Sequence, residues 1–206
     1  MLAPVLRQPL RQVSSEQIEV FGEVLRDEVN LAVWQRQLAA SVSAFAAQLL
    51  AQGEPLAQSI TLELASPESA PNIRGLVDDY SHLPGQAAFL DDVSGLVSAF
   101  AYLFDARRIG LRLRILDKPM CPRFHVDHVP VRLITSYVGV GTEWLSEGVM
   151  ARRHLGDAAA ELSDARQVER ASAGHVLLAK GEKWIGNEGC GLIHRSPQPP
   201  AGERRL

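Results

Sequence analysis

The sequence predicts an α+β fold, with N-terminal helices packed on a strand-rich region of jelly-roll or barrel type. Three observations predict it. Apolar residues recur at helical spacing in the first half. Short runs alternate with period two after Arg108. Glycine and proline punctuate those runs at close intervals. The expected organisation is one compact unit, with a mostly helical lobe over residues 1–108 and a jelly-roll region over 109–206.

Taken in order, residues 1–13 read as a loose arm. Ser14 or Ser15 can cap a helix starting near Glu16, in which Ile18, Phe21, Val24 and Leu25 recur at helical spacing. Asn30 interrupts the chain. Leu31 to Gln52 reads as a second amphipathic helix, with Val33, Trp34, Leu38, Val42, Phe45, Leu49 and Leu50 as its stripe. Gly53 and Pro55 end it. Ser59 to Leu64 alternates as a strand, and Ser66 to Gly85 is mostly loop. Ala87 to Asp105 is so rich in Ala, Leu, Val and Phe that a buried helix is expected.

Strands are then expected at Ile109 to Leu116 and Val131 to Val138. Gly139, Gly141 and Gly148 mark turns. Glu161 to Arg170 is polar and ambiguous. His175 to Ala179 reads as a buried strand, a glycine-rich turn runs from Gly181 to Gly191, and Leu192 to Ser196 is a last strand.

Composition excludes several classes. Of 206 residues 46% are hydrophobic and 22% charged, which rules out long-range disorder. The 21 Lys and Arg against 24 Asp and Glu give a net charge of −3, without the basic excess that neutralises phosphates. No apolar run reaches the roughly 18 residues of a membrane helix. Pro4, Arg7, Pro9 and Arg11 break any signal-peptide core. Two cysteines make no disulfide framework. The expectation is a soluble, cytoplasmic protein with a small-molecule or peptide substrate, and no nucleic-acid or membrane partner.

The chemistry concentrates in Cys121-Pro-Arg-Phe-His125-Val-Asp127-His128. Residues two apart in an extended chain share a face, so His125 and Asp127 can aim an imidazole and a carboxylate at one point. His194 follows the glycine-rich turn. Two histidines and a carboxylate make a facial triad, which holds Fe(II) and leaves positions open for substrate and oxygen. Arg204 lies ten residues beyond His194 and can pair with a carboxylate through two hydrogen bonds.

This pattern resembles the Fe(II)/2-oxoglutarate-dependent oxygenases over roughly residues 109–206. The resemblance implies a double-stranded β-helix (a cupin-like jelly roll), with Fe(II) and 2-oxoglutarate as cofactors. It implies His125, Asp127 and His194 as metal ligands and catalytic centre, and Arg204, or Arg205 in the alternative register, as carboxylate anchor. It also implies a hydroxyl to the cosubstrate from Thr135, Ser136, Tyr137 or Ser196. The stretches CPRFHVDHVPVRLITSYVGVGTEWL and LLAKGEKW…GLIHRSP are similar to a bacterial family of uncharacterised proteins. That likeness implies a connection to zinc homeostasis.

A rival site uses Cys121, His125, Cys190 and His194 as a tetrahedral Zn(II) set, each cysteine four residues before a histidine. It needs the chain to turn at Pro122 and at glycines 189 and 191, and it suits a non-catalytic metal-handling protein. Zn(II) on the original three residues is a further variant. Arg112 and Arg114 alternate on one strand face and, with Arg132, either form a solvated face or line a cleft for an anionic substrate.

Overall fold

Residues 9–160 and 165–206 are described by the computed structural model. In chain order the elements are β1 (Arg11–Ser15), β2 (Val29–Trp34), α1 (Ala40–Ala51), β3 (Ala57–Glu63), α2 (Gln86–Phe104), β4 (Arg108–Arg114), β5 (Val131–Thr135), β6 (Glu143–Leu145), β7 (Val168–Arg170), β8 (Val176–Lys180) and β9 (His194–Arg195). Short 3-10 turns join several of them. The class is α+β. The described strands form sheets of four, three and two strands, and none closes into a barrel.

The chain divides into two compact units, and the division departs from the expected boundary at 108. One unit holds the chain up to Arg36, Cys121–Thr135 and Gly141–Pro197. The other holds Gln37–Met120, Ser136–Val140 and Gln198–Leu206.

The first unit is built on the sheet β1-β2-β8-β5, with β1 parallel to β2 and the other pairs antiparallel. Here the expected helix from Leu31 to Gln52 is corrected: its first part is β2. Val29 to Val33 are all buried. A short apolar run fits a buried strand or a buried helix equally well by periodicity. Pairing with β8, itself buried throughout, decides for the strand. Leu31 and Val33 meet Leu177, Ala179 and Leu192 in one apolar cluster.

The arm is corrected as well, because Arg11 to Ser15 is β1. Ser15 accepts a hydrogen bond from the Gln17 N–H at 3.0 Å, and a 3-10 run over Ile18–Leu25 follows in place of an α-helix. The same unit carries the sheet β7-β6-β9. Of the ambiguous stretch 161–170, residues 161–164 lie outside the described residues, and Val168–Arg170 pairs as β7.

In the second unit the antiparallel pair β3–β4, joined through α2, matches the expected strands closely. The helix expected to reach from Leu31 begins only at Ala40, as α1. Phe45 and Leu49 of α1 pack with Phe89 of α2, Leu62, Leu113 and Tyr137. The Phe45 and Phe89 rings lie 5.0 Å apart, and the Phe89 and Tyr137 rings 4.7 Å apart. Gly85 precedes α2 at φ +89°, where a Cβ would meet the Ser41 carbonyl oxygen at 2.5 Å. That position requires glycine.

By length and composition α2 could cross a membrane. It buries Phe89, Val93, Leu96, Val97 and Ala101 in the core. Its burial is one-sided, not complete as its composition suggested: Tyr102 is 72% exposed. An Ala-rich helix needs only one face covered to pack.

Candidate metal centre

The site grows from two extended segments of the first unit. His125 and His194 form an antiparallel bridge. His125 N–H donates to the His194 carbonyl at 3.0 Å, and His194 N–H donates to the His125 carbonyl at 2.9 Å. Residues 121–128 are thus not a full strand, but they alternate as one would. Phe124 and Val126 pack with Leu145, Met150 and Ile193, which leaves His125 and Asp127 on the other face.

On its second edge His194 pairs with Trp144 of β6, so the β9 backbone is held from both sides. Arg195, its neighbour, places its guanidinium 4.2 Å from the Phe124 ring centre and donates to buried Glu143 at 2.6 Å. Arg170 binds the same carboxylate from β7. Burial pushes the Glu143 carboxyl up, but hydrogen bonds and charge from Arg195 and Arg170 outweigh it and hold the group below its ordinary value.

The structure brings together three of the residues named from sequence. Ligand atoms of His125, Asp127 and His194 all lie within 4.8 Å of one another. Asp127 Oδ1 is 3.8 Å from His125 Nε2, and Asp127 Oδ2 is 3.5 Å from His194 Nε2. Each imidazole is oriented by the same local device. Nδ1 of His125 lies 3.0 Å from the Arg123 carbonyl, and Nδ1 of His194 lies 3.1 Å from the Leu192 carbonyl. A carbonyl can only accept, so each Nδ1 carries a proton, and in the neutral imidazole Nε2 keeps its lone pair on the side of Asp127. Burial lowers the proton affinity of His194, and the hydrogen bond to Leu192 and the charge of Asp127 oppose it only in part.

Asp127 Oδ2 is buried and makes no hydrogen bond. Arg132 Nε lies 2.7 Å from it as an ion-pair contact, outside hydrogen-bond alignment. An orphaned carboxylate oxygen beside two Nε2 lone pairs fits a cation bound by N and O donors. The His-Asp-His group, with His194 buried and the other two half-buried, can hold a metal ion.

Neither cysteine joins the group. The antiparallel bridge explains why. Stepping back four residues from His125 and from His194 leads in opposite directions, which separates Cys121 and Cys190 by up to about 26 Å of extended chain. The structure therefore does not bring the expected Cys₂His₂ set together.

The expected cosubstrate residues are placed as follows. Arg204 and Arg205 belong to the second unit. Arg204 donates to the carbonyls of Leu50 and Gly53 at the end of α1, and Arg205 donates to the Val140 carbonyl at 3.1 Å. Tyr137 gives its hydroxyl proton to Asp92 at 2.6 Å, and Thr135 donates to the His175 carbonyl at 2.9 Å. Ser136 is buried in the second unit. Ser196 uses its N–H on the Cys121 carbonyl, extending the pairing around the site. Arg112 faces solvent, and Arg114 donates to Gln58 and Ser59 on the neighbouring strand. Among these arginines Arg132 alone contacts the triad.

Sequence reasoning missed Gly181. A Cβ there would lie 2.1 Å from the Val129 carbonyl oxygen and 2.6 Å from that of Asp127. The glycine lets the Asp127 segment cross β8 closely, and Glu182 N–H then donates to the Asp127 carbonyl at 2.9 Å. Glu182 also accepts from the N–H groups of Gly189 and Gly191, which ties down the turn leading to His194. No spacing or periodicity marks these roles.

A family of proteins of unknown function, DUF1826, matches residues 15–206. The chain belongs to that family, and the match includes His125, Asp127 and His194. No curated protein and no solved structure matches the chain.

Proposed function

We propose that His125, Asp127 and His194 hold one divalent transition-metal ion, and that the protein is an Fe(II)-dependent oxygenase of the 2-oxoglutarate type. The supporting observation is the donor set itself: two Nε2 lone pairs and a buried, unsatisfied carboxylate oxygen converge on one point. Three protein ligands of this kind leave open positions, as non-haem iron oxygenases require. Bound iron supplies the oxygen chemistry, and the chain supplies its placement. The Arg123 and Leu192 carbonyls fix the imidazole tautomers, the bridge sets the spacing of the rings, and apolar Phe124 and Ile193 back the site against water. This reading relates the two sheets of the first unit to an open double-stranded β-helix, and their mostly antiparallel pairing supports that relation.

One observation favours a second reading, a non-catalytic zinc-binding protein on the same three ligands. The arginines expected to anchor 2-oxoglutarate spend their guanidinium groups on backbone carbonyls. The two readings separate in an anaerobic titration of metal-free protein with Fe(II) and then 2-oxoglutarate. A weak visible charge-transfer band that disappears in His125→Ala supports the oxygenase. Tight zinc binding with no response to 2-oxoglutarate supports the zinc protein.

A further inference from the structure

We propose that Arg132 is the docking residue for an anionic co-ligand of the metal, a small carboxylate that chelates at the open positions while its charge meets the Arg132 guanidinium. The inference rests on the triad being a metal site, but not on the metal being iron.

Arg132 stands on β5 opposite Ala179 of β8, so the strand pairing fixes the base of its side chain. Its Nε contacts Asp127 Oδ2 at 2.7 Å. Among the described residues Nη1 and Nη2 have no partner, and the side chain is 43% exposed. One edge of the guanidinium is therefore held against the site while the other is open to a ligand. That planar fork suits a carboxylate, which it can bind through two parallel hydrogen bonds.

Charge balance points the same way. The charged contacts at the site are Asp127 with His125, with His194 and with Arg132. The Asp127 carboxylate and the Arg132 guanidinium, in ion-pair contact at 2.7 Å, cancel. A bound dication then keeps its full double charge, which an anion at its open positions offsets. A cation held beside a metal ligand also lowers metal affinity by repulsion. It has a use there if it recruits the anion.

The test uses Co(II), whose visible d–d bands report both metal and ligand binding without any turnover. Wild type, Arg132→Ala and Arg132→Lys are each loaded with Co(II), then titrated with oxalate, with 2-oxoglutarate and with inorganic phosphate. We expect Arg132→Ala to bind Co(II) as well as wild type or better. We expect its oxalate or 2-oxoglutarate affinity to fall by at least about tenfold, the loss of one charge-assisted contact, with partial recovery in Arg132→Lys.

Unchanged carboxylate affinity in Co(II)-loaded Arg132→Ala overturns the proposal while leaving the metal site standing. Loss of Co(II) together with the anion overturns it in favour of a residue that only positions Asp127. Arg132-dependent binding of phosphate alone overturns the carboxylate assignment. Failure of wild type to bind Co(II), zinc or Fe(II) overturns the metal site itself, and the inference with it.

Discussion

His125 and His194 face each other across a single antiparallel bridge, exchanging backbone hydrogen bonds of 3.0 and 2.9 Å, with their ring centres 4.6 Å apart. The peptide backbone thus sets the separation of the two imidazoles. Each ring is then turned by a carbonyl two residues earlier in its own segment. The third donor, Asp127, shares the face of His125 because it lies two residues on. We expect His125→Ala to remain folded and to lose metal affinity by more than about 100-fold, since one of three ligands is gone. Chelator competition with zinc or Fe(II) measures it. Metal affinity within a factor of about two of wild type would remove His125 from the ligand set.

Gly181 controls Asp127 from outside the triad. A methyl group at 181 has no room beside the carbonyls of Val129 and Asp127, so Gly181→Ala must push that segment away. The expected result is a loss of about tenfold or more in metal affinity, the range for a disturbed supporting contact, with a lowered melting temperature. Gly148→Ala is the comparison, because a Cβ there meets nothing within 4 Å, although its φ of +88° strains alanine. Strain alone should lower stability there and spare metal binding.

Acid stability should depend on Glu143. Its carboxyl is buried, and Arg195 and Arg170 hold it ionised below its ordinary value of 4.5. Between the folded and unfolded values the unfolded chain binds the extra proton, so stability falls as pH drops through this window and is complete above it. We expect Glu143→Gln to cost on the order of 3 kcal/mol near neutral pH, because it leaves two arginines facing a neutral group. The difference from wild type should shrink as pH falls below about 4.5. Denaturant melts across pH measure this, and a pH-independent difference would refute the ion-pair account.

The grouping of the candidate site was more legible in the sequence than the fold around it. His125, Asp127 and His194 are polar residues whose spacing carries chemical meaning, so they could be named without knowing how their strands pair. Val29 to Trp34 could not be assigned in the same way, because an apolar run buried on every side has no period to read. Its partner β8 lies some 145 positions away in sequence, about a 145-residue closure that no local pattern records. Counting residues from His194 likewise did not reveal that Arg204 lies in the second unit.

Arg204 offers the most direct comparison between the counted position and the folded one. Its guanidinium donates to the carbonyls of Leu50, in the last turn of α1, and of Gly53, just past its end. A cation at a helix C-terminus also meets the negative end of the helix dipole. We expect Arg204→Ala to destabilise the protein by about 1–2 kcal/mol, the sum of a charge-assisted hydrogen bond and the dipole interaction. Metal affinity should be unchanged, and any 2-oxoglutarate affinity should move by less than about twofold, since the guanidinium is engaged at the helix end. Thermal melts and a 2-oxoglutarate titration of metal-loaded protein measure both. A large loss of 2-oxoglutarate affinity with unchanged stability would make Arg204 the anchor after all. It would also require its contacts with α1 to break when the cosubstrate binds.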